Sequence, residues 1–462
     1  MVARPRLAFG ALALAASLAA GATALTAAPT EALSLEEAIQ QALRGSPRLA
    51  ASAADAASAH QRALGASWGR LPRVDLELSA LRSDNPVYVF GGLLNQEQFT
   101  QNDFGSVDFQ TGAFDLTPLN QPDPHSNVRA AVTVNQVLWS GGRVTGRLDA
   151  ARAMAHAAAE GRERAADQVV FQTEQAFRHA LLAEQQLDLL RGTLKVAEAH
   201  AARVDALWEE GLALRADRQS LKAHVEEVRA RLQNARADSI EARSLLALSM
   251  GLDEPVAEPL IASPDDPAAG PTLAEALESA PRRADIRAAR AGLSAARAGQ
   301  KATRSQLFPS LQLMLGAEHN SEDFLGEGGN QWMVALGARM QLDAGIPAKL
   351  QSAAAQETAA HKQWEAAREG AVHQVRTAYA RWQAALARVE AFQRAVEASA
   401  EAFRLTEERN REGLATTLEL TEAQNTLTRT RLGAAAARSD AFIARAGLRF
   451  AAGRRHDLET SR

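Results

Sequence analysis

Glu419 and Glu422 are the acidic pair best placed to act together: a spacing of three puts both carboxylates on one face of a helix. A solvated helix face accounts for the same spacing. Other chemistry is hard to find. The 10 His residues are scattered without metal-ligand spacing. There is no His-Glu-x-x-His, no phosphate loop ending in Gly-Lys-Ser/Thr and no Gly-x-Ser-x-Gly elbow. Gly326-Glu-Gly-Gly329 reads as a loop tip, and Arg282-Arg283 and Arg454-Arg455 read as solvated helix ends. With 0 Cys, disulfides and lipidation at a cysteine are excluded. The residues point to no enzyme, no cofactor and no metal.

The acidic pair follows a chain reversal that occurs twice. Glu210-Gly211-Leu212-Ala213 ends one long helical pattern and opens another, and Glu412-Gly413-Leu414-Ala415 does so again at an offset of 413 − 211 = 202. Around each echo the order is helix, strand, strand, long helix, tight turn, helix. Solenoid repeats have periods of ~20–50 residues, so this is a duplicated structural unit instead. Duplication suggests pseudo-symmetry about an axis, and an assembly rather than a self-contained catalyst.

Arg4 and Arg6 precede an apolar run over 7–25 and small residues at Ala22-Thr23-Ala24 and Ala27-Ala28. That is the pattern of a secretory signal peptide over 1–28, cut between Ala24 and Ala32; a transmembrane anchor is the competing reading. No later window is apolar enough for a spanning helix, so any membrane crossing must use β-strands. Aromatics make up only 5% of the chain, and Ala, Arg, Glu and Gln dominate, as in long helices and coiled coils. The net charge of −4 does not suggest a nucleic-acid partner.

Two strand pairs alternate with period two. In the first, Val74, Leu76, Leu78 and Ala80 face away from Asp75, Glu77 and Ser79, and Val128, Ala130, Val132 and Val134 face away from Arg129, Thr133 and Asn135. The second pair has Leu311, Leu313 and Leu315, then Trp332, Val334, Leu336, Ala338, Met340 and Leu342. A soluble sandwich would show this alternation; so would a barrel with apolar residues toward lipid and polar ones toward a lumen. Closed membrane barrels begin at about eight strands, so two hairpins cannot close alone, and an open edge in lipid is forbidden. Membrane strands here require an oligomer. A polar loop over 82–127, and a shorter one over 319–330, suit an outer surface, with Trp139 and Trp332 near strand ends.

Leu187, Leu190, Leu194, Ala197, Ala201, Val204 and Trp208 keep a three-four alternation, and a second seam runs from Val372 through Val375, Tyr379, Trp382, Leu386, Val389, Val396 and Ala400 to Phe403. After the first turn, Leu221, Val225, Val228, Leu232 and Ala235 continue it. Such seams mean coiled-coil packing. A helix over 149–210 would span roughly 90 Å at ~1.5 Å per residue. Helices over 34–70 and 217–250, stacked end to end, match that length. The expected form is a rod with strands at one end, the Gly211 turn at the other and a junction midway. Leu71-Pro72 and Phe308-Pro309 stop the helices that feed the strands.

In this order the chain resembles the TolC family of outer-membrane efflux ducts, also called outer membrane factors. The resemblance rests on the Leu35-Glu-Glu-Ala38 opening, the two proline stops, Leu138-Trp-Ser-Gly-Gly-Arg143 and Leu342-Asp-Ala-Gly345. It rests above all on Gly413-Leu-Ala-Thr-Thr-Leu-Glu-Leu-Thr-Glu-Ala-Gln424 and its twin Gly211-Leu-Ala-Leu-Arg-Ala-Asp217. It implies a mainly α protein with membrane β: a long α-helical coiled-coil barrel continuous with a β-barrel closed by trimerisation. The units are a first repeat over 29–255, a linker over 256–271, a second repeat over 272–453 and a tail over 454–462. The implied function is passive conduction from an inner-membrane transporter of the RND or ABC class, through a periplasmic adaptor (membrane fusion) protein, across the outer membrane of a Gram-negative bacterium, in efflux or type I secretion.

By the same resemblance, Gly211, Leu212, Ala213, Gly413, Leu414 and Ala415 contact the adaptor, and Asp217, Glu419 and Glu422 line the periplasmic aperture. Asp217 matches an acid that pairs with neighbouring helices in the closed state of some relatives. Its usual basic partner aligns with Ala415, leaving Arg215 as a substitute. The alternative is an exported coiled-coil scaffold or adhesin-like stalk without a pore. It explains the heptads but not the matched helix lengths or the lipid-type alternation.

Overall fold

The computed structural model describes residues 32–107, 109–262, 265–324 and 326–454. The signal-peptide expectation over 1–28, and the tail beyond Arg454, lie outside them.

Ser34 starts α1 (Leu35–Gly45) through a capping box: its hydroxyl accepts from the Glu37 N–H at 3.2 Å, and the Glu37 carboxylate accepts from the Ser34 N–H at 2.9 Å. Ser46 ends α1 and caps α2 (Pro47–Trp68), where Pro47 occupies the first turn without cost because its missing N–H would be unpaired there anyway. The chain continues through β1 (Arg73–Ser83), α3 (Pro86–Asn95), α4 (Gln101–Phe104), β2 (Ser106–Val107), β3 (Phe114–Asp115), α5 (Thr117–Asn120) and β4 (His125–Trp139) into α6 (Arg143–Glu209) and α7 (Arg215–Met250). The second repeat opens with the Thr272–Glu275 capping box on α8 (Leu273–Ser279). It proceeds through α9 (Ala284–Arg304), β5 (Ser310–Ser321), β6 (Gly328–Arg339), α10 (Ile346–Arg411) and α11 (Thr417–Ala452).

Several boundaries differ from the sequence reading: β1 runs on to Ser83 and β4 starts at His125, inside the loop read over 82–127, and β5 and β6 leave only 322–327 between them where a loop over 319–330 was expected. Helix α6 begins at Arg143, six residues before 149, and Gly146 near its start permits close packing: a Cβ there would lie 2.9 Å from the Ala302 nitrogen of α9. Strand β6 ends at Arg339, so Met340 and Leu342 lie beyond the ladder. The segment read as a polar loop holds α3, started by Asn85, whose side chain accepts from the Val87 N–H, and by Pro86.

The main sheet has four antiparallel strands in the order β1-β4-β5-β6. Its register aligns Leu76 with Val132, Val132 with Ala317 and Ala317 with Trp332. The apolar residues of all four strands therefore share one face. The helices keep the strand order, with α2 on α6, α6 on α9 and α9 on α10; further down α7 lies on α6, α6 on α11 and α11 on α10. The protomer is a strip with β1, α2 and α7 along one edge and β6 and α10 along the other.

Helix α6 has 67 residues and α10 has 66. At ~1.5 Å per residue each is roughly 100 Å long. The end-to-end stack predicted from the sequence is present: α1 and the C-terminus of α7 meet across the middle of α6. There Leu35, Ile39, Phe177, Ala180, Leu246 and Met250 form a buried core. In the second repeat Ala276, Ile286, Val375, Trp382 and Leu448 build its twin. The segment from α7 to α8 crosses these junctions, held by Trp382 Nε1 donating to the Pro267 carbonyl at 3.0 Å and by Arg243 donating to the Val256 and Glu258 carbonyls. One correction falls here: Arg283 is not a solvated helix end. It is buried and donates to Asp285, Gln374 and the Ala451 carbonyl.

Candidate functional site

Both helical turns are Schellman reversals. In the first, the Gly211 N–H donates to the Trp208 carbonyl at 2.9 Å and the Leu212 N–H to the Leu207 carbonyl at 2.7 Å. In the second, Gly413 donates to Asn410 at 3.1 Å and Leu414 to Arg409 at 2.8 Å. Gly211 and Gly413 take φ of 77° and 76°, yet a Cβ on either would meet nothing within 4 Å. Glycine is needed there for backbone conformation alone.

The offset of 202 makes Asp217 and Glu419 equivalent positions, 217 + 202 = 419, and gives Glu422 a twin in Ser220. The equivalents behave differently. Glu419 closes a capping box, accepting from the Thr416 N–H at 2.7 Å and its hydroxyl at 2.9 Å, while Thr416 Oγ1 accepts from the Glu419 N–H at 3.2 Å. Leu214 stands where Thr416 would cap α7, so Asp217 is left to face the positive helix end. Among the described residues neither Asp217 nor Arg215 forms an ion pair within the protomer; Arg218 pairs with Asp205 at 2.5 Å instead. Glu422 is exposed and lies 3.8 Å from Arg429. Asn410 and Arg409 brace the second turn by donating to the Ala415 and Leu414 carbonyls at 2.9 and 3.1 Å. Replacing Thr416 with Ala is expected to cost about 1 kcal/mol in helix stability. Proteolysis near the Gly413 turn should accelerate, and an unchanged cleavage rate would show that the cap is idle.

The bond from the Thr416 backbone, followed by that from its hydroxyl, holds the Glu419 carboxyl below the usual glutamate range. A carboxylate with a depressed folded pKa contributes stability above its unfolded pKa and loses it as pH falls through the folded one. Glu419 thus keeps its charge below the pH at which an unperturbed glutamate, pKa about 4.3, would protonate.

At the opposite end of the strip the two sheet faces are chemically distinct. Leu76, Trp332 and Leu336 on the apolar face are 78%, 80% and 68% exposed. Across the polar face Arg129 bridges Glu318 at 2.6 Å and Glu77 at 3.3 Å, while Asn127, Asn320 and Gln331 continue a hydrogen-bonded row. The sequence alternation named Glu77 and Arg129 on this face, but not Asn127, Asn320 or Gln331, the first two of which it assigned to loops. Helix α3 lies over the same face: Gln96 donates to Asn127 and to the Ser126 carbonyl, and Gln331 donates to the Asn95 carbonyl at 2.6 Å. Among the described residues no helix is long and apolar enough to cross a membrane, and no group of three or more His, Cys, Asp or Glu could hold a metal ion.

A sequence model of the outer membrane efflux protein family matches residues 38–252 and 275–454. No curated protein is significantly similar in sequence. Among solved structures the chain is similar to a membrane protein from Pseudomonas aeruginosa, with a TM-score of 0.76 at 22% identity, covering 91% of this chain and 92% of that one. It is similar to the outer membrane protein VceC from Vibrio cholerae, with a TM-score of 0.75 at 20% identity, over 91% of this chain and 96% of that one. The open state of the MtrE outer membrane channel from Neisseria gonorrhoeae gives a TM-score of 0.74 at 21% identity, over 92% and 91%. These likenesses establish the fold, and the family match spans both repeats: the chain belongs to the outer membrane efflux protein family, whose members are channels rather than enzymes.

Proposed function

We propose that three copies of this strip close edge to edge, β1, α2 and α7 of one against β6 and α10 of the next, into a single pore wall in the outer membrane and periplasm. The observation that carries this is the sheet. Its apolar face is exposed and, among the described residues, its two outer strands have no partner along their outer edges, and hydrocarbon tolerates neither open edges nor unsatisfied backbone. Exposed Ile240, Leu245 and Leu248 on the α7 edge supply apolar area for the neighbour. Reconstitution in a planar bilayer should give single-channel conductance from a species of trimer mass; a stable, non-conducting monomer would overturn the assembly.

The turn end faces an adaptor protein in this reading, with an inner-membrane transporter beyond it. Support comes from apolar residues left in the open at the turns: Leu212 is 72% exposed, Leu414 65% and Leu418 78%. Around them Gly211, Ala213, Gly413 and Ala415 offer small side chains that a helical hairpin can approach closely. Leu414→Asp, paired with Leu212→Asp, is expected to abolish efflux in cells without changing trimer yield. Retained resistance to an exported compound would remove the turns from the contact.

Asp217, Glu419 and Glu422 set the charge of the aperture. In three copies they form acidic rings that favour cations. The double change Glu419→Gln and Glu422→Gln should move the reversal potential in a salt gradient toward that of a non-selective pore. Acid should neutralise the Glu419 ring later than it would an unperturbed glutamate, because the Thr416 backbone and hydroxyl hydrogen bonds hold that carboxyl below the usual range. An unchanged reversal potential in the double variant would place the rings elsewhere.

A further inference from the structure

Three buried polar side chains in the middle of the helical strip lack hydrogen-bond partners: Thr173 at Oγ1, Arg445 at Nε, and Arg178 at both Nε and Nη2. Arg178 is only 3% exposed. Guanidinium keeps its charge at any ordinary pH, even though burial pushes its pKa down. A buried cation without an acceptor is costly, so its surroundings were searched for a counter-charge.

The nearby carboxylates already serve other arginines. Both oxygens of buried Glu174 accept from Arg449 Nη2, at 2.7 and 2.8 Å. Asp265 lies 3.5 Å from Arg445 Nη2, and Asp440 pairs with Arg388 at 3.1 Å. The Phe442 ring lies 3.9 Å from the Arg178 guanidinium and 5.2 Å from that of Arg445, which offers only the partial negative charge of a π face. Arg438 adds another cation on the same ring at 6.0 Å. Arg178, Arg438, Arg445 and Arg449 thus face Glu174 and Asp265, an excess of 4 − 2 = 2 positive charges.

Arg178 and Arg438 line a cavity of about 400 Å³ between α6, α10 and α11. Gln185, Gln393 and Ser439 supply neutral hydrogen-bonding groups; among the described residues no acid lines it, and apart from Phe442 the remaining wall is aliphatic. Cavities of roughly 300–1,000 Å³ with apolar walls and a few convergent polar groups are typical small-molecule sites.

We propose that this cavity binds an organic anion: a carboxylate head against Arg178 and Arg438, and an apolar body along Phe442 and the aliphatic wall. The head sits against the part of Arg178 that lines the cavity, Nε and Nη2 themselves being sealed from it, and the exposed planar guanidinium of Arg438 can face its two oxygens with two N–H groups. The site is lined by residues of one protomer and does not rest on the aperture assignment. Its ligand is defined by charge and apolar body, whether it derives from envelope lipid or from the solutes that pass.

Thermal melting of the full-length protein in a neutral maltoside detergent tests it, with decanoate as probe, decanol as the uncharged control and inorganic phosphate as charge without an apolar body. Decanoate at saturation should raise the midpoint by roughly 3 °C, and decanol and phosphate should not. Arg178→Gln should abolish the rise. Arg438→Gln, at an exposed position that folding does not depend on, should weaken it at least tenfold in concentration and decides the matter if the first variant does not fold. Mass spectrometry of a solvent extract separates the sources. A fatty acid at one per chain, absent from the variants, identifies envelope lipid; an empty protein that takes up decanoate identifies a transported solute. No decanoate effect, an equal effect of decanol, or an undiminished effect in Arg438→Gln would overturn the proposal.

Discussion

Leu336→Arg is expected to abolish insertion of the sheet into a bilayer while the helices stay folded. Leu336 is the β6 partner of Leu313, on the face shared with Leu76, Val132 and Val334. In water an arginine at this exposed position would be harmless. At the midplane of a bilayer each costs about 2–4 kcal/mol, and assembly from three copies multiplies the cost threefold. Ser79→Arg is the matched control, because Ser79 sits on the opposite face beside Arg129. The readouts are co-flotation with liposomes, the heat-modifiable mobility of the folded barrel and helical circular dichroism. Loss of flotation in Leu336→Arg, with Ser79→Arg behaving as wild type, is the expected pattern. Equal flotation of the two variants would mean that the apolar face does not meet lipid.

Glu174→Leu is expected to destabilise the helical strip by about 3–5 kcal/mol. Glu174 is 2% exposed, takes both hydrogen bonds from Arg449 and shares its surroundings with Arg178 and Arg445. Removing it strands buried cations, and an uncompensated buried charge costs far more than the pair contributed. Glu174→Leu combined with Arg449→Leu should recover a substantial part of the loss, which a double-mutant cycle on thermal midpoints measures. A loss under about 1 kcal/mol for the single variant would show that solvent or another acceptor reaches the cluster. Because α6 and α11 belong to different repeats, this pair also reports whether the halves are clamped at their midpoints.

Much of this architecture was legible in the residues because it is local or periodic. The Ser34–Glu37 and Thr272–Glu275 boxes each need only four consecutive residues, and both form. Leu221, Val225, Val228 and Leu232 are all buried, as their spacing requires. The strand faces were readable because a pleated strand alternates strictly, whatever its neighbours are. Less was legible at the candidate site. The loop before β4 is rich in Gly, Asn, Gln, Asp and Phe, and that composition hid α3 even though Asn85-Pro86 is a helix-start signal. The sequence marks Glu419 as an acid on a helix face, and only coordinates show its carboxylate closing a cap.

The sequence by itself determined most of the elements, their duplication and the glycine reversals. All of these follow from short-range sterics, hydrogen bonding and hydrophobic period. Tertiary structure alone decided which edges are left open, and that Arg283 turns inward. It alone brought Glu174 and Arg178 of α6 against Arg445 and Arg449 of α11. Those charges are separated by more than 250 residues, and no local pattern encodes their meeting. Their cost and their use arise only when packing removes the water between them.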